Sequence, residues 1–591
     1  MCEMNAIKRI LGLISLMSTL LCEVSSCQWL PEVGSVRLDE SSVTLKVGQT
    51  WALKASVEPS AAEYEGISWV SSDPSIATVS NTGLVSARKI GNAQITASTA
   101  GISSSPCQIQ VTSTPVNGVR LDKSSVSIPE GESLSLKVTI TPSDATNSSV
   151  SWASGNTKIA TVNSNGTITA VSEGETTITV KSKDSGITAT CKVAVTAEYV
   201  DFPDPNFRKY MIENFDLNKN GKISLMEAKK VTHITVSSEN IESLKGIESL
   251  DNLSVLRVGT SLGGVSYGRN TDGTIYYNPS NPPGKLKSLD LSNNTHLSYL
   301  SCYNNIIAEL DLSNNNSLTT LDCQCNQITK LSLSPKASIV YLNCSFNKLV
   351  SLDIESSLIT GLSCEGNYLK ELDISVCYAL KDLRCGYNQL TALNVTKNTE
   401  LQTLYCWNNQ LTSLDVSRNT ALTSLLCNSN QLTTLDVTKN TGLQTLYCSS
   451  NQLMSLDVSR NTALTYLSCN SNQLTTIDVT KNASLTNLNC SSNKLRSLGV
   501  SKNTALTYLA CSSNQLTSLD VSKNSALTTL YCYSNQLTSL DVSKNSSLTK
   551  LDCSPMSTLR MVYVASGQNI DGVTTNRNSS YIPSSTSIVT K

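Results

Sequence analysis

Leu401-Gln-Thr-Leu404-Tyr-Cys406-Trp-Asn-Asn409-Gln-Leu411 reads L-x-x-L-x-C-x-x-N-x-L, and this frame returns through the second half of a 591-residue chain. Its cysteine stands at Cys302, Cys323, Cys344, Cys364, Cys385, Cys406, Cys427, Cys448, Cys469, Cys490, Cys511, Cys532 and Cys553. Eleven of the twelve gaps are 21 residues, and the gap from Cys344 to Cys364 is 20. A fixed period of this size marks a solenoid. Alternation about Leu404 and Cys406 predicts a short strand with those two side chains inward. The next half-repeat, Leu411-Thr-Ser-Leu414-Asp-Val-Ser-Arg-Asn419, returns the chain along the opposite face. Each coil buries its leucines only against its neighbours, so residues 285–553 read as one continuous core.

Twenty cysteines in a chain with a secretory-type start raise the prospect of disulfides. The expected geometry opposes it. In-register strands on adjacent coils lie about 4.8 Å apart with parallel side chains, whereas a disulfide needs Cβ atoms about 3.8 Å apart and a twisted S–S geometry. A linear row of thiols does not converge on a metal tetrahedron either. The row reads as reduced, buried thiols acting as small polarizable hydrophobes. Three residues after these cysteines come Asn305, Asn326, Asn347, Asn367, Asn388, Asn409, Asn430, Asn451, Asn472, Asn493, Asn514 and Asn535. Amides there can satisfy the turning backbone of successive coils. Asp415, Asp436, Asp457, Asp478, Asp520 and Asp541 form another row, broken by Ser332, Asn394 and Gly499, beside Arg418, Lys439, Arg460, Lys481, Lys502, Lys523 and Lys544. Opposed charges offset like-charge repulsion along the stack.

On these residues the chain resembles the internalin class of bacterial leucine-rich repeat proteins, in its cysteine-ladder form with LxxLxCxxNxLxxLDVSxN units. That resemblance implies a curved surface protein that binds a host or microbial partner. Internalins often end in a sorting motif, an apolar segment and a basic tail. Here the sequence closes Ser585-Thr-Ser-Ile-Val-Thr-Lys591, so anchoring is expected elsewhere.

Lys8 and Arg9 precede the apolar run Ile10–Cys22, and residues 1–26 read as a signal peptide. Val24-Ser-Ser-Cys27 resembles a lipobox, which makes Cys27 the expected lipid-attachment site of a cell-surface or outer-membrane lipoprotein. The alternative is cleavage and secretion. Residues 33–112 and 116–197 are an internal duplication: Val36-Arg-Leu-Asp39 recurs as Val119-Arg-Leu-Asp122, Trp69 as Trp152, Ile76-Ala-Thr-Val79 as Ile159-Ala-Thr-Val162 and Gly83 as Gly166. Short alternating strands with turn punctuation predict two β-sandwiches. They resemble bacterial Ig-like group 2 domains, modules used mainly as spacers. Cys107 and Cys191 fall one per module, which excludes an intradomain disulfide.

Residues 201–259 read as a helical cap with a first coil. After a helix-like stretch around Asn206–Phe215, Asp216-Leu-Asn218-Lys-Asn220-Gly221-Lys222-Ile-Ser224-Leu-Met-Glu227 fits the EF-hand loop D-x-[DN]-x-[DN]-G-x5-E. Asp216, Asn218, Asn220, the Lys222 carbonyl, a water on Ser224 and Glu227 are the expected oxygen donors of a structural calcium ion. The alternative is a cap that keeps the turn without metal. Residues 260–284 read as an insertion loop and 554–591 as a C-terminal cap. The fold class is therefore mainly β, with two Ig-like sandwiches, a small EF-hand-like cap and a solenoid of 21-residue coils.

Net charge near −1 gives no argument for nucleic acid or an anionic membrane surface as a partner, and no nucleic acid is expected. His233 and His296 are the two histidines, neither in a nucleophile motif, and the ladder thiols are equivalent and buried. An enzyme and a catalytic cofactor are not expected. Function falls to the concave strand face, where Tyr299, Tyr303, Tyr341, Tyr387, Tyr405, Trp407, Tyr447, Tyr466, Tyr508, Tyr531 and Tyr533 are expected to point outward among Ser, Thr and Asn. Aromatic anchors amid small polar groups suit a protein partner. The same chemistry suits a glycan captured at the surface, and a ligand-free structural spacer is the third reading. A monomer is expected.

Overall fold

The computed structural model describes residues 31–262, 265–269, 275–279, 281–570 and 582–591. The expected signal peptide and Cys27 lie outside them. Among the described residues no helix is long and apolar enough to cross a membrane. The chain divides into two compact units, residues 1–196 and 197–591.

The first unit holds two modules of the same plan. In one, Ser42–Lys46 pairs parallel with Cys107–Thr112, followed in the sheet by Gly91–Thr99 and Ser68–Ser71; Thr50–Ala52, Leu84–Ala87 and Ala77–Val79 form a second sheet. Ser125–Pro129, Thr188–Thr196, Gly174–Ser182 and Val150–Ser154 repeat the plan, with Ser133–Ser135, Thr167–Ala170 and Ala160–Val162 as the second sheet. The recurrence of Trp with Gly has a packing cause. Gly83 and Gly166 sit at φ +80° and +82°, and a Cβ on either would come within 2.7 or 2.6 Å of the Trp69 or Trp152 ring. Cys107 and Cys191 are fully buried free thiols, one in each core.

In the second unit Asp204 caps the helix Pro205–Phe215, accepting from the N–H groups of Asn206 and Phe207. The parallel sheet begins at His233–Val236, continues through Val255–Val258 and Tyr299–Ser301, and runs to Lys550–Asp552 as fifteen strands. Most coils contribute three residues, such as Thr403–Tyr405, with the central leucine in register from coil to coil. Period-2 geometry then buries Leu404 and Cys406 completely, and the same holds for all thirteen ladder cysteines, each a free thiol. The insertion forms an antiparallel pair, Val265–Arg269 with Ile275–Pro279. At the other end Met561–Val564 and Ser587–Thr590 extend a small parallel sheet from Ser539–Asp541.

Two asparagine ladders hold the coils. In the first, Asn430 Nδ2 donates to the carbonyls of Cys406 (3.0 Å) and Cys427 (3.1 Å), while its Oδ1 accepts from Leu411 N (3.0 Å). The second ladder is a finding of the structure. Asn294, Asn315, Asn398, Asn419, Asn440, Asn461, Asn482, Asn503, Asn524 and Asn545 are fully buried in the return turns. Asn440 Nδ2 donates to the carbonyls of Val416 (3.0 Å) and Asn419 (2.8 Å). After Asn545 the cap supplies a substitute: Gln568 Nε2 reaches the carbonyls of Val542 (3.3 Å) and Asn545 (2.8 Å), the same pair of acceptor positions. Between Asn315 and Asn398 this ladder is interrupted. Lys336, the Ser356-Ser357 turn and Cys377 occupy those coils, and the residue missing from the 20-residue gap falls between Ile354 and Ile359.

The aspartate row has a local role. Asp415 Oδ1 accepts from Ser417 N at 2.9 Å, a bond repeated at Asp436, Asp457, Asp478, Asp520 and Asp541. These hydroxyl and amide bonds hold the carboxyl pKa values below the usual range. Among the described residues only Asp541 of this row forms an ion pair, with Lys591, so the row caps turns more than it balances charge.

Candidate functional site

The outward positions of the fifteen strands make one continuous face. Register places Tyr299, Tyr341, Tyr466 and Tyr508 in its first row, and Tyr405, Tyr447 and Tyr531 in the next outward row. Tyr303, Trp407 and Tyr533 directly follow the ladder cysteine. Tyr387 differs: it sits one residue further on, at φ +51°, in a left-handed turn position shared with Asn304, Cys325, Phe346, Asn408 and the serines of later coils. It still joins the face, with its ring 4.6 Å from Trp407 in an edge-on arrangement.

Most of these rings are half-buried, and Tyr341 is the most open at 41% exposed. They hold one another and nearby cations in place. Tyr447 stacks on Tyr466 at 4.6 Å and 14°, and Tyr508 meets Tyr531 edge-on at 5.8 Å. Arg257 lies over Tyr299 (4.4 Å), Arg384 over Tyr405 (5.2 Å) and Lys550 over Tyr531 (5.3 Å). Burial, reinforced by the Tyr466 hydroxyl, pushes the Tyr447 phenol above its usual range.

At the shortened coil the face is notched. A cleft of about 230 Å³ opens at Gly361, lined by Tyr341, Asn343, Ser363, Glu365, Asp382 and Arg384. Trp407 Nε1 donates to Glu365 Oε1 at 3.1 Å. Burial nevertheless pushes the Glu365 carboxyl up, and it does the same to Asp322, two strands away. Sequence reasoning placed the rings but missed this cleft; its signal was the single 20-residue gap together with glycine at a strand position.

The ladder thiols offer no chemistry in this state. Desolvation raises Cys344, Cys427, Cys469 and Cys511 to about 12, and the others rise for the same cause, so nucleophilic thiolate is absent near neutral pH.

In the EF-hand-like loop every expected side-chain oxygen already has a backbone partner. Asp216 accepts from Asn220 N (3.2 Å) and Gly221 N (2.7 Å), and Asn218 and Asn220 accept from Asn220 N and Lys222 N. Glu227 accepts from Leu217 N (2.8 Å), Asn218 N (3.2 Å) and, in a capping box, Ser224 N (2.9 Å). Gly221 takes φ +80°, as the turn requires. Calcium at this loop is a proposal: the ion would have to draw Glu227 from three amides, with Asp216 as its one other carboxylate. One millimolar calcium is therefore expected to raise Tm by less than about 2 °C, and Asp216→Ala to remove that rise. Glu227→Ala should lower Tm with or without calcium. A rise above about 5 °C would show that the ion displaces the amides.

Comparison with known proteins adds two likenesses. Residues 32–105 and 115–193 match the bacterial Ig-like domain (group 2). The chain is 32% identical over 165 residues to an uncharacterised protein of Clostridium acetobutylicum, which is 27% of this chain and 17% of that protein. It is 30% identical over 168 residues to an Ig-like virion protein of Serratia phage KSP90, covering 28% of this chain and 65% of that one. The chain thus spans less than two thirds of either relative. Among solved structures, the functional domain of InlJ from Listeria monocytogenes, which includes a cysteine ladder, is similar with 32% identity and a TM-score of 0.53, over 63% of this chain and 78% of that one. Module and fold are of binding or structural types. The chain is an internalin-like leucine-rich repeat protein of the cysteine-ladder type, carrying two bacterial Ig-like group 2 domains.

Proposed function

We propose that this is a cell-surface recognition protein whose solenoid binds a protein partner through the strand face, and that acyl chains on Cys27 hold it at the membrane. One observation carries the reading: tyrosines and Trp407 recur on a single face, partly buried and fixed by stacking and cation contacts. Rings ordered before binding lose little entropy when a partner covers them, which suits hot-spot residues. In chain order the Ig-like modules lie between Cys27 and the solenoid, the place of a spacer. The glycan alternative draws on the same rings with their Ser, Thr and Asn neighbours.

The test displays wild type, Tyr405→Ala/Trp407→Ala and Cys27→Ala on cells and scores membrane retention, binding to candidate partner cells and binding to a glycan array. The double variant is expected to lose binding by more than about thirtyfold, and Cys27→Ala to leave the detergent phase. Unchanged binding in the double variant would remove the strand-face assignment. Binding to glycans alone would move the reading to the alternative.

A further inference from the structure

Repeats copy one another, so a place where several departures coincide has a function of its own to explain. Four coincide around Gly361: the shortened coil, the interrupted second asparagine ladder, a missing side chain on the strand face and a half-buried carboxyl, Glu365, without an ion pair among the described residues. We infer that the cleft at Gly361 seats one basic side chain of a protein partner, with its cation among Glu365, Asp382 and the open ring of Tyr341. This rests on the strand face being a protein-binding surface.

Charge is the first argument. Glu365 and Asp382 line the cleft against Arg384 alone, and Arg384 is committed to Asp382 by bonds of 3.2 Å from Nε and 3.0 Å from Nη2. Glu365 has no ion-pair partner among the described residues. Burial holds the Glu365 carboxyl above its usual range, and a cation entering beside it would offset that cost.

Ring occupancy is the second. Tyr299, Tyr405 and Tyr531 each carry a basic group of this chain, whereas Tyr341, beside Asp322, carries none among the described residues. The partner's cation would complete the same contact. Glycine at 361 lets the Tyr341 ring lean over the strand, where a Cβ would stand 3.0 Å from Tyr341 Cδ2, and the cleft of about 230 Å³ opens beside that ring.

Asn343 decides between a basic residue and a bare metal ion. It is nine-tenths buried, lines the cleft and accepts from Ser345 N through Oδ1 at 3.2 Å. Its Nδ2 has no partner among the described residues. A donor is wasted on a metal ion but suits the main-chain carbonyl beside a lysine or arginine. The ligand thus offers a cation and an adjacent acceptor, as an extended basic peptide does.

The test uses the full chain labelled with 5-fluorotryptophan. Its five tryptophans are Trp29, Trp51, Trp69, Trp152 and Trp407, and the Trp407 fluorine signal reports on Glu365. The probes are Nα-acetyl-arginine methylamide, its neutral isostere Nα-acetyl-citrulline methylamide, and methyl α-mannopyranoside. Arginine is expected to shift the Trp407 signal saturably and to bind at least about tenfold tighter than citrulline. Glu365→Gln, which keeps an acceptor for the indole, should weaken it about tenfold, and Gly361→Leu should abolish it. Equal response to citrulline, no response to arginine, an unaffected Glu365→Gln, or response to the sugar alone would each overturn the assignment. Failure here with binding still lost in Tyr405→Ala/Trp407→Ala would remove the cleft and leave the strand-face reading standing.

Discussion

Between pH 9 and pH 10 the solenoid is expected to unfold while the Ig-like modules stay folded. Each ladder thiol is protonated in the fold, and desolvation raises its folded pKa well above the unfolded value near 9.0, to about 12 at Cys344, Cys427, Cys469, Cys511 and Cys553. The unfolded chain therefore gives up protons first. The thiol contribution is complete below pH 9 and is lost as the pH climbs toward the folded values. At pH 10 the loss is on the order of 1 kcal/mol per thiol. Over thirteen thiols it is on the order of 10 kcal/mol, comparable with the 5–15 kcal/mol that holds an ordinary domain. Each Ig-like module has a single buried thiol, so it loses little over the same interval. Far-UV circular dichroism against pH, with iodoacetamide labelling at each step, checks this. A solenoid that melts cooperatively and resists labelling at pH 10.5 would refute it.

Asn451→Ala should be among the most damaging single changes in the regular coils, at about 2–4 kcal/mol. Asn451 Nδ2 donates to the carbonyls of Cys427 (3.0 Å), Cys448 (3.1 Å) and Ser449 (3.2 Å), and its Oδ1 accepts from Leu432 N (2.9 Å). Two adjacent coils share this one amide. Alanine leaves the Leu432 N–H buried without a partner, at about 1–3 kcal/mol, and opens a small void, while the Cys427 carbonyl keeps the Asn430 amide at 3.1 Å. Ser449→Ala, at the partly exposed position after the cysteine, should stay within about 0.5 kcal/mol. Urea midpoints of the two variants make the comparison; a loss below about 1 kcal/mol for Asn451→Ala would mean that the turn re-satisfies itself.

Why one amide row was legible beforehand and the other was not has a physical answer. Asn451 follows a buried strand cysteine by three residues, so its place in the coil follows from the strand. Asn440 lies in Val-Thr-Lys-Asn, a polar run that reads equally well as an exposed turn, and only the fold shows that the turn carbonyls of the preceding coil close over it. The inward leucines and cysteines were legible for the same reason as Asn451, since period-2 geometry sorts them without knowledge of neighbours. Tyr387 was harder, because a left-handed turn two residues after the cysteine leaves no mark beyond tolerance of Asn, Ser and Gly there. The Gly361 cleft falls in the same coil as a deletion on its opposite side. In the sequence that deletion is a single broken interval, and its coincidence with the cleft emerges only when the coil is closed.

Gln568 has a consequence for how this protein can change length. Its amide meets the last coil at the same two carbonyls that the next asparagine would have taken, so the terminator recognises what every regular coil offers and does not depend on how many coils precede it. Insertion or excision of a whole 21-residue unit upstream would leave each donor facing an acceptor of the same kind. Such events are free to lengthen or shorten the reach of the array in one genetic step. The irregular coils around Gly361 lack that freedom, because Lys336, Ser356-Ser357 and Cys377 stand there in place of the interchangeable asparagines.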